Sequence, residues 1–215
     1  MIILLVSKLQ KNASIETMRE MLCQCFPAQG NRKYFQRKIS EKNEERALES
    51  LRSLLLLSSA IDLLPQKVNK QELSFSCDNQ GKPFFKGSNI KFNVSHSKGF
   101  VVCCVSADSE VGVDIEASHI PPEKAVRLAK RYFNEAEIAE TERSPESFTR
   151  LWSENEAEAK FLGKDLAMFF KENKQKNITA NKRQNVYFHR FKAYNIPITV
   201  CTDSQHSTIL FKIIQ

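Results

Sequence analysis

Apolar positions along the chain recur at three- and four-residue spacing in several segments, a pattern typical of helices with one buried face. The predicted helices cover residues 13–26, 41–64, 121–129, 134–142 and 148–161. Ser40 is the expected N-cap of the long second helix, and Pro65 is expected to end it.

Short apolar runs bounded by turn residues predict strands. These strands cover residues 1–8, 72–76, 90–94, 100–106, 110–116, 186–194, 196–202 and 208–214. Helices and strands follow one another in a similar order on both sides of residue 112. We therefore expect an α+β fold with an N-terminal half (1–112) and a C-terminal half (113–215), although no sequence repeat is strong enough to prove a duplication.

Composition and charge narrow the class of partner. The chain is 41% hydrophobic and 27% charged, as in ordinary soluble proteins, and its formal charge of +7 favours an anionic partner. Nucleic acid, a phosphorylated small molecule and an acidic protein all fit that charge. No helix-turn-helix, zinc finger or aromatic-rich single-strand platform is visible, so we expect no nucleic-acid partner.

One stretch is locally basic, since residues 171–192 hold seven basic groups and one acidic group. We expect a solvated loop or hairpin there, the alternative being a contact surface for an acidic partner.

Two further features bear on the compartment. The six cysteines show no C-x-x-C spacing, which predicts small buried hydrophobes in a reducing environment. The apolar start at residues 1–6 lacks the basic residues and cleavage site of a signal peptide, and the longest later apolar run, Leu54–Leu57, is too short to span a membrane. We expect a cytoplasmic protein without a membrane segment.

Candidate chemistry begins with two pairs of charged residues. Asp114 and Glu116 are two apart at the end of a predicted strand, so they point to the same face and would repel each other unless a cation lay between them. Glu156 and Lys160 are four apart on a predicted helix and share one of its faces. Taken alone, each pair is more often a surface pair than a functional one.

Small polar groups cluster where another predicted strand ends, in the run Asn93-Val-Ser-His-Ser97. A lone histidine is more often structural than functional. His96, however, lies between Ser95 and Ser97 just before Gly99, and that setting suits an anion contact.

Several motifs together resemble the 4'-phosphopantetheinyl transferase superfamily. In chain order they are Gly81-Lys-Pro83, Phe92-Asn-Val-Ser-His-Ser97, Val111-Gly-Val-Asp-Ile-Glu116, Ala129-Lys-Arg-Tyr-Phe133 with Glu137, and Leu151-Trp-Ser-Glu-Asn-Glu-Ala157 with Lys160 and Gly163. The clear resemblance covers about residues 79–166. The length is similar to that of the long, monomeric class, which implies two similar α+β halves packed as a pseudo-dimer with the active site in the cleft between them.

The resemblance implies an Mg²⁺-dependent enzyme that moves the 4'-phosphopantetheine arm of coenzyme A onto a serine of an acyl or peptidyl carrier protein and releases 3',5'-ADP. The carrier could serve fatty-acid, polyketide or peptide synthesis. Mg²⁺ suits this chemistry because it binds carboxylates together with substrate phosphates.

By resemblance, each motif also has an implied role. The metal ligands are Asp114, Glu116 and Glu156, and either Glu156 or a water on the metal takes the serine proton. Ser95 and His96 lie near the nucleotide, Gly81, Lys82 and Pro83 line the coenzyme, and Lys160 contacts its phosphates. Candidates for the 3'-phosphate, at the level of the region only, are Arg37, Lys38, Lys42 and Arg46.

The chain departs from the family pattern at two places. Asn155 stands where the family usually has a lysine before the helix glutamate, and Gly163-Lys-Asp165 stands where it tends to have G-x-G. Loss of the lysine would replace a charge-assisted contact with a neutral one. A diverged homologue that binds coenzyme A or a carrier protein without catalysis is therefore the alternative hypothesis.

Overall fold

A computed structural model describes residues 1–10, 14–40, 43–176 and 186–214. The helices are α1 (Ile15–Cys25), α2 (Asn31–Ser40), α3 (Glu44–Asp62), α4 (Pro122–Tyr132), α5 (Glu135–Arg143), α6 (Ser147–Leu162) and α7 (Leu166–Lys176). The strands are β1 (Ile2–Lys8), β2 (Phe75–Cys77), β3 (Pro83–Phe85), β4 (Lys91–Ser97), β5 (Phe100–Ser106), β6 (Val111–Ile115), β7 (Tyr187–Ala193), β8 (Ile196–Thr202) and β9 (Ile209–Ile214). The predicted α+β class is confirmed.

Some local predictions were wrong. Ser40 ends α2 rather than starting the next helix, and the N-cap of α3 is Asn43, whose side chain accepts a hydrogen bond from the Arg46 N–H. The helices α2 and α7 were not predicted. In α2 the basic residues outnumber the apolar ones, so its buried face, which includes Tyr34 and Phe35, gives a weak periodic signal.

The first and last strands of the chain are neighbours in one sheet. Its order is β4-β5-β1-β9, and β9 runs parallel to β1 while the other pairs are antiparallel. The strands β6, β8 and β7 form a second, antiparallel sheet. The division of the chain at residue 112 stays a prediction, and that residue lies inside β6.

The central strand β1 is apolar on both faces because both are covered. Ile3 and Leu5 face a core that includes the apolar side of α3. The alternate residues Leu4 and Val6 pack against Val113 and other residues of the second sheet. The pleat thus explains why this strand reads as a continuous hydrophobic run.

Gly112 permits the closest helix–sheet contact near the site. A Cβ at this position would lie 2.0 Å from the Ala157 carbonyl oxygen and 2.5 Å from the Phe161 backbone nitrogen, so only glycine fits. Helix α6 can therefore lie directly on β6. This contact brings the turn that carries Glu156 and Lys160 against Asp114, two residues after the glycine.

The cysteines are all free, and Cys103, Cys104 and Cys201 are buried as small apolar groups. Burial raises the pKa of the Cys103 and Cys104 thiols. Among the helices of the described ranges, none combines the length and apolar character needed to cross a bilayer.

Candidate functional site

A cavity of about 410 Å³ lies where β4, β6 and α6 meet α2 and α3. This volume falls within the range usual for small-molecule sites. The lining residues are Tyr34, Lys38, Ser50, Ser53, Leu54, Pro83, Val94, Ser95, His96, Ser97, Asp114, Ile115, Glu116, Glu156 and Lys160. Eight of the residues that the sequence singled out therefore meet at one place: Lys38, Pro83, Ser95, His96, Asp114, Glu116, Glu156 and Lys160.

At the centre of the cavity wall, one ammonium group joins two carboxylates. Lys160 Nζ lies 2.7 Å from Asp114 Oδ1 and 3.4 Å from Glu156 Oε2. It also donates to Ser95 Oγ at 2.9 Å, and that hydroxyl donates in turn to Asp114 Oδ1 at 2.9 Å. Because two acids share one lysine, the pair keeps a negative charge when both are ionised.

The pKa values of these groups reflect that arrangement. Burial and the nearby Asp114 carboxylate raise the pKa of Glu156 to about 7. Burial alone would also raise the pKa of Asp114, but the Lys160 ammonium and the hydrogen bonds from Lys160 and Ser95 hold it below its usual value. Burial opposes the charge on Lys160, yet the two carboxylates keep its pKa above its usual value.

The remaining oxygens of the site have fixed partners. The Trp152 indole N–H donates to Glu156 Oε1 at 2.8 Å, which orients that carboxylate from one helical turn away. Glu116 Oε1 accepts from Ser97 Oγ at 3.3 Å and from the Ser118 N–H at 2.7 Å. Asp114 and Glu116 both line the cavity, in agreement with their predicted common face.

His96 is held by a residue that sequence reasoning missed. Its Nδ1 lies 2.9 Å from Oε2 of Glu49, which is buried on α3, and Glu49 Oε1 accepts from the Gly99 N–H at 2.6 Å. Glu49 and His96 are far apart in the sequence, and no local pattern links them.

The predicted Gly81-Lys-Pro83 contact is only partly reproduced in this cavity. Pro83 lines it. Lys82 Nζ instead bonds Glu110 Oε2 at 3.1 Å and the Phe161 carbonyl at 2.9 Å, beside a neighbouring cavity of about 350 Å³ that Pro83 also lines. Gly81 lies in the preceding turn with a left-handed φ of +86°.

The N-terminal basic region contributes Lys38 to the cavity wall. Arg37 instead donates to Cys77 Sγ at 3.5 Å, Arg46 is exposed in the first turn of α3, and Lys42 lies outside the described residues. Tyr34 was not predicted; its hydroxyl is buried without a hydrogen-bond partner in the described part of the chain. Burial raises the pKa of Tyr34.

Asn155, the main departure from the family motif, faces away from the cavity. It is fully buried, and its Nδ2 donates to Glu137 Oε1 at 3.2 Å and to the Leu151 carbonyl at 2.8 Å. Glu137 belongs to the capping box of α5. The Asn155 side chain therefore joins α6 to α5.

The second departure from the family motif, Gly163-Lys-Asp165, also has structural roles. Gly163 has φ 65° at the C-cap of α6. Lys164 Nζ pairs with Glu172 at 2.6 Å, and Asp165 Oδ1 accepts from the Met168 N–H at the start of α7. Of the basic stretch at 171–192, residues 177–185 lie outside the described part, while the rest includes the end of α7 and most of β7.

The donor set fits Mg²⁺ by type and charge, since Asp114, Glu116 and Glu156 offer carboxylate oxygens on one cavity wall. Burial and then the repulsion from Asp114 raise the pKa of Glu156, and a cation would relieve the repulsion. Within the described ranges, no group of three or more histidine, cysteine or acidic side chains has ready metal-binding geometry. The Lys160 ammonium occupies the space between Asp114 and Glu156.

Comparisons with known proteins point to the same family. Residues 110–208 match the sequence model of the 4'-phosphopantetheinyl transferase superfamily. These matches include the motifs that carry Asp114, Glu116, Glu156 and Lys160. The chain therefore carries a 4'-phosphopantetheinyl transferase superfamily region, and the resemblance predicted from the motifs is confirmed.

Three curated relatives illustrate the similarity. The 4'-phosphopantetheinyl transferase AcpT of Salmonella typhi is 36% identical over 115 residues, covering 51% of this chain and 55% of that protein. A putative 4'-phosphopantetheinyl transferase of Synechocystis sp. is 32% identical over 121 residues (53% and 47%), and the 4'-phosphopantetheinyl transferase gsp of Aneurinibacillus migulanus is 31% identical over 137 residues (61% and 54%). The chain spans about half the length of the curated relatives it matches.

Proposed function

We propose that this chain is a 4'-phosphopantetheinyl transferase, which moves the phosphopantetheine arm of coenzyme A to a serine of an apo acyl or peptidyl carrier protein and releases 3',5'-ADP. One observation carries the proposal. Asp114 and Glu156 share the Lys160 ammonium on the wall of a cavity that Ser95 and His96 also line. These residues belong to the motifs on which the family resemblance rests.

Mg²⁺ is part of the proposal, with Asp114, Glu116 and Glu156 as the residues that would hold it. A divalent cation there would orient the pyrophosphate of coenzyme A and neutralise charge on the leaving group. The support from this chain is the mutual proximity of two carboxylates, Asp114 buried and Glu156 partly buried, with one lysine to share between them.

In the proposed reaction, the carrier serine oxygen forms a bond to the phosphorus that bears the pantetheine arm. The bond from that phosphorus to the bridging oxygen breaks, and the electron pair leaves with 3',5'-ADP. Glu156 takes the serine proton, because a carboxyl with a pKa of about 7 can exchange a proton near neutral pH. Lys160 then neutralises phosphate charge beside it.

Coenzyme A would lie along the cavity wall with its phosphates near cationic groups. Lys38, Lys160 and His96 line this wall from α2, α6 and β4. If Gly81, Lys82 and Pro83 contact the coenzyme, part of coenzyme A would lie over Pro83, which lines both the main cavity and its neighbour.

The remaining parts of the proposal rest on the family. We expect a monomer of the long class, whose halves 1–112 and 113–215 form a pseudo-dimer, acting in the cytoplasm on a protein partner rather than on nucleic acid. The main argument for the non-catalytic alternative was that Asn155 replaces the family lysine. That argument is weakened because Asn155 bonds to Glu137 and Leu151 instead of lining the cavity.

The test is to incubate the purified protein with coenzyme A, Mg²⁺ and a panel of apo carrier proteins, and to read each carrier by intact-protein mass spectrometry. The proposal predicts a gain of one phosphopantetheine on at least one carrier, lost when EDTA is added. No gain on any carrier, together with no binding of coenzyme A by the folded protein, would contradict it.

A further inference from the structure

We infer that Glu49 is a positioning residue, which holds the His96 imidazole with its Nδ1 protonated and its charged form stabilised so that the ring serves the cavity as an anion contact. The part concerning anions rests on the proposed function. The part concerning Glu49 and His96 stands on their geometry alone.

Two hydrogen bonds define the arrangement. His96 Nδ1 lies 2.9 Å from Glu49 Oε2, and the Gly99 N–H donates to Glu49 Oε1 at 2.6 Å. The carboxylate thus uses one oxygen for the ring and the other for the turn after β4, where Lys98 and Gly99 both have left-handed φ values. Glu49 fixes the ring and the backbone beside it as one unit.

Burial makes this contact informative. Glu49 is 4% exposed, and it is the one charged side chain among the buried residues of a helix whose other buried residues are leucine, isoleucine, alanine and serine. An ionised carboxylate is costly to bury unless it is paired and hydrogen-bonded. A leucine at this place would suit the core better, so the acid is explained by what it does to the histidine.

The chemical consequence concerns which ring nitrogen carries the proton. An acceptor on Nδ1 selects the tautomer protonated there, and a carboxylate acceptor also favours the imidazolium. A solvated neutral histidine side chain instead favours the tautomer protonated at Nε2. Since His96 lines the same cavity as Asp114, Glu116 and Glu156, a charged ring would provide an attraction for phosphate there.

The measurement is the set of ring ¹⁵N chemical shifts of His96 in the full chain, with its signals assigned through a His96→Gln variant. In the wild type we expect Nδ1 to be protonated in both the neutral and the charged ring. Glu49→Gln keeps the size but has one acceptor oxygen for two donors, the Gly99 N–H and His96 Nδ1–H, so it should shift the population toward the Nε2-protonated tautomer. Glu49→Asp keeps the charge and should restore part of the wild-type pattern.

The ligand readout is the affinity for adenosine 3',5'-bisphosphate in EDTA, measured by titration calorimetry. We expect Glu49→Gln to weaken it about tenfold, the usual size of one charge-assisted contact. Glu45→Gln is the matched control, because Glu45 is an exposed glutamate one turn earlier on the same helix, and it should change neither readout.

An unchanged His96 tautomer in Glu49→Gln would overturn the inference, even if affinity fell, because Glu49 would then act only through the fold. An altered tautomer with unchanged affinity would overturn the anion role. If the wild type transfers no phosphopantetheine, the proposed function fails, and the ¹⁵N shifts still decide whether Glu49 sets the tautomer.

Discussion

Glu154 and Glu156 lie two residues apart on α6 and have opposite surroundings. Glu154 is fully buried and paired with two arginines, Arg150 at 3.0 Å and Arg190 at 2.5 Å. Glu156 is partly buried and shares one lysine with Asp114. Arg150 also pairs with Glu140, so two arginines balance two acids around Glu154, whereas one lysine serves both Asp114 and Glu156.

Charge balance, more than burial, therefore separates the structural role of Glu154 from the role of Glu156 at the cavity. A carboxylate surrounded by cations and tied to β7 through Arg190 contributes to the packing of α6. A carboxylate left short of positive charge at a cavity wall can recruit a cation or take up a proton. Both stand in the same short motif, Glu154-Asn-Glu156, and the sequence alone does not separate them.

The largest expected effect comes from removing the cavity carboxylate. Glu156→Ala should lower the transfer rate by about 10²–10⁴-fold, the usual contribution of a general base, with a further loss if metal binding fails. Its thermal unfolding should change little, because the substitution also removes a repulsion with Asp114. Asp114→Ala should likewise abolish transfer.

Rates come from intact-mass time courses on a responsive carrier, and the fold is checked by circular dichroism. Wild-type-like transfer in either variant would contradict the assignment of these residues as metal ligands.

Removal of the neighbouring carboxylate, Glu154, should lower stability rather than the transfer rate. Glu154→Ala leaves Arg150 with Glu140 alone and removes the buried carboxylate that Arg190 contacts. We expect a loss of about 3 kcal/mol in the free energy of unfolding, near the low end for a broken buried pair because both arginines can still reach water. The folded fraction should transfer at a near-normal rate. Urea denaturation gives the stability, and a dead but fully stable variant would contradict the comparison.

A change of pH should have an intermediate effect, on the affinity for Mg²⁺. A proton and a metal ion compete for Glu156, whose pKa without metal is about 7, so Mg²⁺ affinity should fall about tenfold between pH 8 and pH 6. Titration calorimetry with Mg²⁺ measures this, and Glu156→Gln should remove the pH dependence. Equal affinity at both pH values would argue against Glu156 as a ligand.

The same pKa shift affects stability without metal. The folded state holds the Glu156 proton more tightly than the unfolded state does. This contribution to stability is therefore present at low pH and is lost as the pH rises from about 4.5 to about 7. Glu156→Gln should flatten this part of the stability curve.

The smallest effect is expected from restoring the family lysine. Asn155→Lys should change the transfer rate of the folded protein by less than about threefold, because the side chain at this position faces Glu137 rather than the cavity. The measurement is the same mass time course. A variant that gains activity where the wild type has none would revive the non-catalytic alternative.

The sequence predicted the pairs of site residues that lie close together along the chain. Asp114 and Glu116 follow strand alternation, and Glu156 and Lys160 follow helical spacing, so each pair could be placed on one face before the structure was known. The motifs then predicted that the two pairs meet, and they do line one cavity. The metal and the coenzyme remain proposals.

Other parts depend on contacts between distant segments. Glu49 reaches His96 from a helix whose apolar pattern gives no hint of a buried acid. Lys82 turns to Glu110 and the Phe161 carbonyl because those acceptors converge there in the fold. The close packing at Gly112 likewise depends on α6 lying on β6, which one-dimensional spacing does not encode.

The most direct test of the account is the affinity for coenzyme A, measured by titration calorimetry with Mg²⁺ and with EDTA, for the wild type and for Asp114→Asn. We predict that Mg²⁺ strengthens binding by the wild type and leaves binding by the variant unchanged. Equal binding by the wild type with and without Mg²⁺, or a full metal effect in Asp114→Asn, would contradict the claim that these carboxylates hold a metal at the coenzyme.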